Sequence, residues 1–217
     1  MDEYLTPPPG GLSVVALLFA AGESSRMGHL KPLLRWHGQP LVQYQVEQLR
    51  AAGADTVIVV LGRDADQVAP LVEAAGGRCV CNPAYRSGRA SSVRAGALAV
   101  PDGVRALITL NVDQPRPAAL VRLVLDAHLA GDALITTPEQ EGRRGHPAIF
   151  AGVLLPELRA VDEAHEGLRA VVRRHAARRA NVPVDDARIH LEFNTPAEYA
   201  AAYATQHGGP PVTGEQR

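Results

Sequence analysis

The chain has 217 residues, 46% of them hydrophobic and 21% charged, with a net charge of −1. That length fits one well-filled α/β domain and is short for two. The balance shows no basic excess of the kind that nucleic-acid binding requires, and no apolar run approaches the roughly 20 residues of a membrane span.

The start, Met1-Asp2-Glu3, is acidic where a signal peptide is positive, and Thr6-Pro7-Pro8-Pro9-Gly10 follows it. Residues 1–11 are therefore expected to form a flexible leader on a cytoplasmic protein. Residues 14–19 are a continuous apolar run and read as a first buried strand. The run breaks at Ala20-Ala21-Gly22 into Glu23-Ser24-Ser25-Arg26-Met27-Gly28-His29-Leu30-Lys31. Glycine has no Cβ to block a close approach, and successive free N–H groups make an anion-binding concavity. Arg26 and Lys31 add positive charge to it, which suggests a phosphate cradle rather than an ordinary surface turn. Five residues separate Gly22 from Gly28 and His29 follows, so this is not a Walker A loop. Nor does Gly22-Glu23-Ser24 fit the dinucleotide fingerprint.

Residues 41–51 place Leu41, Val42, Val46 and Leu49 at helical spacing, with Gly53 as a stop. The β-branched run 56–61 predicts a parallel strand covered on both faces. Asp64 is expected to cap a helix to about Ala75, and 78–81 is a short strand. Its Cys79 and Cys81 lack redox or zinc spacing and are expected to be buried as small apolar residues. After the Asn82-Pro83 turn, a helix is expected from Ser87 or Ser91 through Ala99. Residues 106–110 are another buried strand, ending at Asn111-Val112-Asp113-Gln114-Pro115. A helix over 117–129, a strand over 133–136, an extended segment over 145–150 and two helices follow. Strands are then expected at 181–184 and 189–193, and a closing helix at 196–204 with Pro196 in its first turn. Residues 12–206 form the single domain, and the Gly/Pro-rich end, 207–217, reads as a flexible tail.

Alternation at this spacing predicts a three-layer α/β/α, doubly wound and mainly parallel sheet. Such sheets bind ligands at the carboxyl ends of their strands. The loop after the first strand and Asp113 after a later one should open onto the same edge. A carboxylate there suits Mg²⁺, although a turn or cap Asp before Pro115 reads equally well from position alone.

Ala20-Ala21-Gly22-x-Ser24-x-Arg26-Met27-Gly28-x-x-Lys31 resembles the signature loop of the MobA-like nucleotidyltransferases. Within that superfamily it is most like the molybdenum cofactor cytidylyltransferases, because the guanylyltransferases usually carry glycine where this chain has Ala21. The resemblance implies a Rossmann-like fold of the nucleotide-diphospho-sugar transferase type. It further implies Mg²⁺-dependent transfer of a nucleotidyl group, CMP from CTP, to a phosphate acceptor such as molybdopterin-bound cofactor, with Mn²⁺ as an alternative metal. A transient molybdoenzyme or chaperone partner is in keeping with it; nucleic acid and membrane are not.

The residue roles implied are specific. Ala20, Ala21, Gly22, Glu23, Ser24, Ser25, Arg26 and Lys31 would hold the nucleotide, with Arg26, Lys31 and Asp113 catalytic. Asn82, Gly88, Ser91 and Ser92 resemble the base and ribose segment, which on its own reads as a turn and helix cap. Arg144, Gly145, His146 and Pro147 resemble the segment facing the acceptor, with His146 positioning rather than acting as a base. Asp113 and Asn194 would be the metal ligands. Glu192 and Asn194 depart from the Asp-x-Asp-Thr-Pro that the cytidylyltransferases often show. His165 stands where relatives often carry Asp in Gly-Asp-x-Gly-x-Arg. Rival readings are a transferase using GTP or a sugar phosphate, a non-catalytic nucleotide-binding maturation partner, and a redox role for which no flavin or NAD fingerprint is present.

Overall fold

Residues 13–211 are described in a computed structural model. The expected leader and tail positions 212–217 lie outside the described residues, as does Leu12 at the start of the expected domain. β1 (Val14–Ala20) is buried throughout, and its alternation builds two cores. Val14, Ala16, Leu18 and Ala20 enter one, while Val15, Leu17 and Phe19 enter the other, because successive strand side chains point to opposite faces.

A short hairpin, β2 (Arg35–Trp36) and β3 (Gln39–Pro40), leads into α1 (Leu41–Ala51). β4 (Thr56–Leu61), α2 (Ala65–Ala74), β5 (Arg78–Cys81) and α3 (Arg89–Leu98) follow. The middle of the chain gives β6 (Ala106–Asn111), α4 (Ala118–Ala130), β7 (Ile135–Gln140), β8 (Arg143–Arg144) and β9 (Ala148–Ala151). The last third contributes α5 (Leu155–Arg159), α6 (Leu168–Arg174), β10 (Arg179–Pro183) and α7 (Pro196–His207).

The sheet order is β10-β7-β9-β6-β1-β4-β5, with β8 beside β7. β1 pairs in parallel with both β4 and β6, and β9 is antiparallel between β6 and β7. The three-layer, mainly parallel architecture expected from the sequence is thus present. α1, α2, α4 and α7 cover one face, and α3, α5 and α6 the other. From β1 the chain steps outward to β4 and β5, then returns to β6 on the other side. The switch point therefore lies between β1 and β6, whose carboxyl ends carry the loop from Ala21 and Asp113 respectively.

The hairpin is fastened to the last helix by aromatic side chains. Trp36 is buried against Phe193 and Tyr203, at 5.7 and 5.9 Å between ring centroids. The Tyr199 hydroxyl donates to the Arg35 carbonyl at 2.6 Å. α7 opens with a capping box, Thr195 and Glu198 each satisfying the other's backbone N–H, which supplies two donors that a helix start otherwise leaves free.

Several expectations need correction. Residues 189–193 do not form a strand: a 3-10 turn spans Ala187–His190, and the carbonyls of Ile189 and Leu191 accept from the Arg116 guanidinium. Cys81 is exposed and Cys79 only half-buried, because β5 is an edge strand. α3 starts after Gly88 rather than at a serine. Asp64 sits at the α2 N-cap, but its carboxylate meets Arg63 Nε at 3.3 Å and caps nothing. β7 begins and ends later than expected. α7 continues to His207 before Gly208 turns left-handed, at φ 74°. No helix among the described residues is long and apolar enough to cross a membrane.

Candidate active site

At the end of β1 the chain leaves the sheet in a loop held by Ser24. Ser24 adopts a φ of 53°, its carbonyl accepts from Met27 and Gly28 N–H at 2.9 and 3.2 Å, and its hydroxyl accepts from Lys31 N–H at 3.3 Å. Met27 is buried beneath and anchors the turn. A Cβ on Gly22 would meet nothing within 4 Å, so packing does not demand glycine there. The tight position is Gly62, at the end of β4, where a Cβ would lie 2.6 Å from the Ala21 carbonyl oxygen.

A cleft of about 620 Å³ opens over the carboxyl ends of β1 and β6. One wall is Ala20 to Ser24 with Lys31; the facing wall carries Tyr85, Gly88, Arg89 and Ser92; Asp113 and Glu192 close one end. Lys31 Nζ donates to Asp113 Oδ2 at 2.6 Å and to Asn194 Oδ1 at 2.9 Å. Both charged side chains are largely buried, at 12% and 14% exposure. Arg26 reaches the same Asn194 oxygen at 3.4 Å from its exposed position. Residues 26, 31, 113 and 194 are thus brought to one point.

Asp113 Oδ1 is buried without a hydrogen-bond partner among the described residues. The Asn194 amide is oriented by Glu192: its Nδ2 donates to Glu192 Oε1 at 3.0 Å, and Gln114 Nε2 donates to Oε2 at 2.9 Å. Burial pushes the Glu192 carboxyl up, but these two amide donors and the nearby His146 and Lys31 outweigh it and hold it below the usual range. Among the described residues no three His, Cys, Asp or Glu side chains cluster to cage a metal. The orphan Asp113 oxygen fits a hard divalent cation that takes most of its ligands from phosphates and water, and the Asn194 oxygen, which accepts from Lys31 and Arg26, would join it on turning from them.

The other expected residues divide. Gly88 and Ser92 line the cleft. Asn82 does not, because its amide is committed to the turn: Nδ2 donates to Ser91 Oγ and Ser92 Oγ at 2.9 and 3.0 Å, and Oδ1 accepts from Ala84 N–H. The Ser91 hydroxyl is itself turned to the Ala84 and Gly88 carbonyls. Gly88 has φ 110°, and a Cβ there would lie 2.6 Å from the Glu163 carboxyl carbon. Glu23 pairs with Arg86 across the rim at 2.9 Å, and Ser25 is exposed.

Residues 144–147 do not line this cleft. Arg144 is exposed and donates to Asn181 Oδ1 at 3.1 Å, while Gly145 and Pro147 are buried. Burial, with Arg116 and Arg89 nearby, pulls the His146 imidazole down to about 4, so it is neutral near pH 7, and its Nδ1 has no partner among the described residues.

Arg116, Arg89 and Glu163 escaped sequence reasoning as structural parts of the site, and Glu192, noted there only as a departure from a motif, orients the Asn194 amide. Arg116 is 0% exposed, and its guanidinium donates to the carbonyls of Pro115, His146, Ile189 and Leu191 at 2.8 to 3.1 Å. Burial brings it down to about 9. It ties the 145–147 segment and the approach to Glu192 onto the end of β6. Its place between Pro115 and Pro117, where no strand or helix continues, was the available signal.

Residues 16–180 match the MobA-like NTP transferase domain. The chain is 31% identical over 167 residues to the nicotine blue oxidoreductase of Paenarthrobacter nicotinovorans, covering 74% of this chain and 81% of that protein. It is 34% identical over 130 residues to the 3-deoxy-manno-octulosonate cytidylyltransferase of Vibrio parahaemolyticus, and 35% identical over 104 residues to a probable molybdenum cofactor guanylyltransferase of Opitutus terrae. Those alignments cover 58% and 48% of this chain, and 50% and 49% of the respective proteins. Among solved structures it is similar to Rv0371c from Mycobacterium tuberculosis, with 26% identity, a TM-score of 0.71, and coverage of 86% of this chain and 95% of that one. On the domain match and the fold, the chain belongs to the MobA-like NTP transferase family.

Proposed function

We propose that the chain transfers CMP from CTP to a phosphate-bearing acceptor of the molybdopterin type, using Mg²⁺ or Mn²⁺. The observation that carries this reading is the meeting of Lys31, Asp113 and Asn194 at the mouth of β1 and β6. An acceptor phosphate oxygen attacks the α-phosphorus, the bond to the bridging oxygen breaks, and pyrophosphate leaves with the electron pair. Such a reaction needs placement and charge neutralisation more than a protein nucleophile.

The amides of Gly22 to Ser25 with Arg26 and Lys31 hold the triphosphate, and the Lys31 ammonium neutralises the departing pyrophosphate. Ala20 and Ala21 border the nucleotide, and Gly88 and Ser92 face its sugar and base. Asn82 and Ser91 serve that wall by fixing its turn, and Glu23 by pairing with Arg86. Asp113 and Asn194 would hold the metal, which when bound supplies Lewis-acid stabilisation of the phosphate oxygens. A manganese complex of Rv0371C, similar at a TM-score of 0.70 and 22% identity, shares the fold and supports testing that metal. Arg144, Gly145, His146 and Pro147 shape the acceptor side from behind, through the bond between the His146 carbonyl and Arg116. No general base is needed, because an acceptor phosphate is already ionised near neutral pH.

The choice of CTP rests on Ala21, and the acceptor on the loop's likeness to the molybdenum cofactor enzymes. The test is a screen of four NTPs against molybdopterin and sugar 1-phosphates, with pyrophosphate detection. CTP with molybdopterin should release pyrophosphate; GTP or a sugar phosphate in its place would reassign the substrates. Asp113→Ala should abolish metal-dependent release and Lys31→Ala should lose most turnover; full activity in either variant would sink the mechanism. The nicotine blue oxidoreductase relative supports a second reading, a reductase. NADH or NADPH oxidation without any pyrophosphate release would favour it.

A further inference from the structure

Around the cleft, nearly every cation already has a protein partner. Lys31 is bound to Asp113, and Arg86 to Glu23. Arg26, beside the loop, reaches Asn194, and Arg116 is saturated by carbonyls. Arg89 differs. It is the first residue of α3, it lines the cleft as an exposed side chain, and among the described residues its guanidinium makes neither a hydrogen bond nor an ion pair.

The carboxylates around Arg89 are engaged elsewhere. Glu163 Oε2 accepts from Ala90 N–H at 2.8 Å, which also supplies the negative charge favoured at the start of α3. Both Glu192 oxygens accept from amides, and Asp113 Oδ2 holds Lys31. Arg169, at the start of α6 and without a side-chain partner among the described residues, is close enough for its charge to be felt at Arg89. An unpaired guanidinium on a cleft wall, with five fixed donors and no acceptor, is a site for a planar or tetrahedral oxyanion.

Position decides which oxyanion. The loop that cradles a leaving pyrophosphate forms one wall, and Arg89 stands on the other, among residues of the last third of the chain: Glu163, Arg169 and Glu192. In-line displacement brings the attacking oxygen from the side away from the leaving group.

We propose that Arg89 grips the acceptor's phosphate, so that the acceptor enters the cleft beside Glu192 as a phosphomonoester. This rests on the nucleotidyl-transfer reading above. The reacting oxygen comes from that phosphate; it forms the new bond to the α-phosphorus as the bond to pyrophosphate breaks, and no proton has to be supplied. Arg89 orients the phosphate and leaves the triphosphate to the opposite wall.

The test uses the full chain and phenyl phosphate as the monoester probe, titrated by calorimetry with and without the α,β-methylene analogue of CTP, and with benzoate as the carboxylate control. Arg89→Gln should weaken phenyl phosphate binding about tenfold or more, the scale of a lost charged hydrogen bond. It should weaken binding of the CTP analogue much less, although Gly88 and Ser92 on the same wall face the nucleotide. Arg89→Lys, which keeps the charge and the stem, should fall between the two. The proposal is overturned if wild-type protein does not bind phenyl phosphate, if Arg89→Gln binds it as wild type does, if benzoate binds equally well, or if the loss falls on the CTP analogue. The nucleotidyl-transfer reading fails by a separate route, when no nucleotide in the pyrophosphate screen turns over; the phenyl phosphate titration needs no turnover.

Discussion

Replacing Arg116 with methionine should destabilise the protein by about 3–5 kcal/mol, the range seen when one partner of a buried charged contact is removed. The guanidinium makes four hydrogen bonds to backbone carbonyls, at 3.1 Å to Pro115, 3.0 Å to His146, and 2.8 Å each to Ile189 and Leu191. Bonds from a charged donor are worth about 1.5–3 kcal/mol each, while burying the cation costs several kcal/mol in return. Methionine keeps the stem's volume but leaves the Pro115, His146 and Leu191 carbonyls unpaired where water has little access, while the Ile189 carbonyl keeps the His146 N–H at 3.0 Å. Urea denaturation should show a lower midpoint at unchanged slope, and the melting temperature should fall by roughly 10 °C. Lysine, with three donors on a single nitrogen, cannot span four carbonyls and should recover only part of the loss. A decrease below about 1 kcal/mol for Arg116→Met would refute the claim that this side chain holds the two segments together.

Gly62→Ala places a methyl group 2.6 Å from the Ala21 carbonyl oxygen and 3.1 Å from Tyr85 Cγ. It should cost about 1–3 kcal/mol by overpacking and weaken nucleotide binding by shifting Ala21, so an unchanged melting temperature and affinity would contradict the geometry. Stability should also fall in acid through His146, whose pKa drops from 6.5 to about 4 on folding. The unfolded chain takes up the proton first, so the contribution is complete above pH 6.5 and is lost as pH falls toward 4, about 3 kcal/mol in all. His146→Asn should flatten that part of the pH–stability curve, and equal slopes for variant and wild type would exclude the imidazole as its source.

The strands and helices that sequence reasoning located well are those bounded locally. Leu41–Ala51, Thr56–Leu61 and Arg78–Cys81 match their expected limits because a change of periodicity or a glycine marks their ends. Errors arose where a distant residue decides the outcome. Ile189, Leu191 and Phe193 alternate as a strand would, yet Arg116, 75 residues before Leu191, takes the carbonyls a neighbouring strand would have used. Cys81 is exposed because β5 is the last strand of the sheet, a matter of topology rather than of local composition. In the site, Lys31 and Asp113 could be expected together because both follow strand ends on one edge. Asn82 and Ser91 looked equally suited to a ligand, but their hydrogen-bonding capacity goes to each other and to the turn. Arg89 carried no sequence signal, since a cation without a partner is recognisable only from its surroundings.

The aromatic fastening of α7 has a consequence for a chain still being synthesised. Trp36 is the single tryptophan, and its cover, Phe193, Tyr199 and Tyr203, lies far downstream. Asn194, which meets Lys31, is 163 residues later. At about 5–20 residues per second, a ribosome takes roughly 8–30 s to cover that distance. Throughout that interval the nascent chain carries the loop and an uncovered indole, but not its final cap. The arrangement makes the last helix the latch on both, so an interrupted translation product presents a greasy surface for chaperones or proteases and lacks a finished cleft. Tryptophan emission followed during synthesis would time the moment when that latch closes.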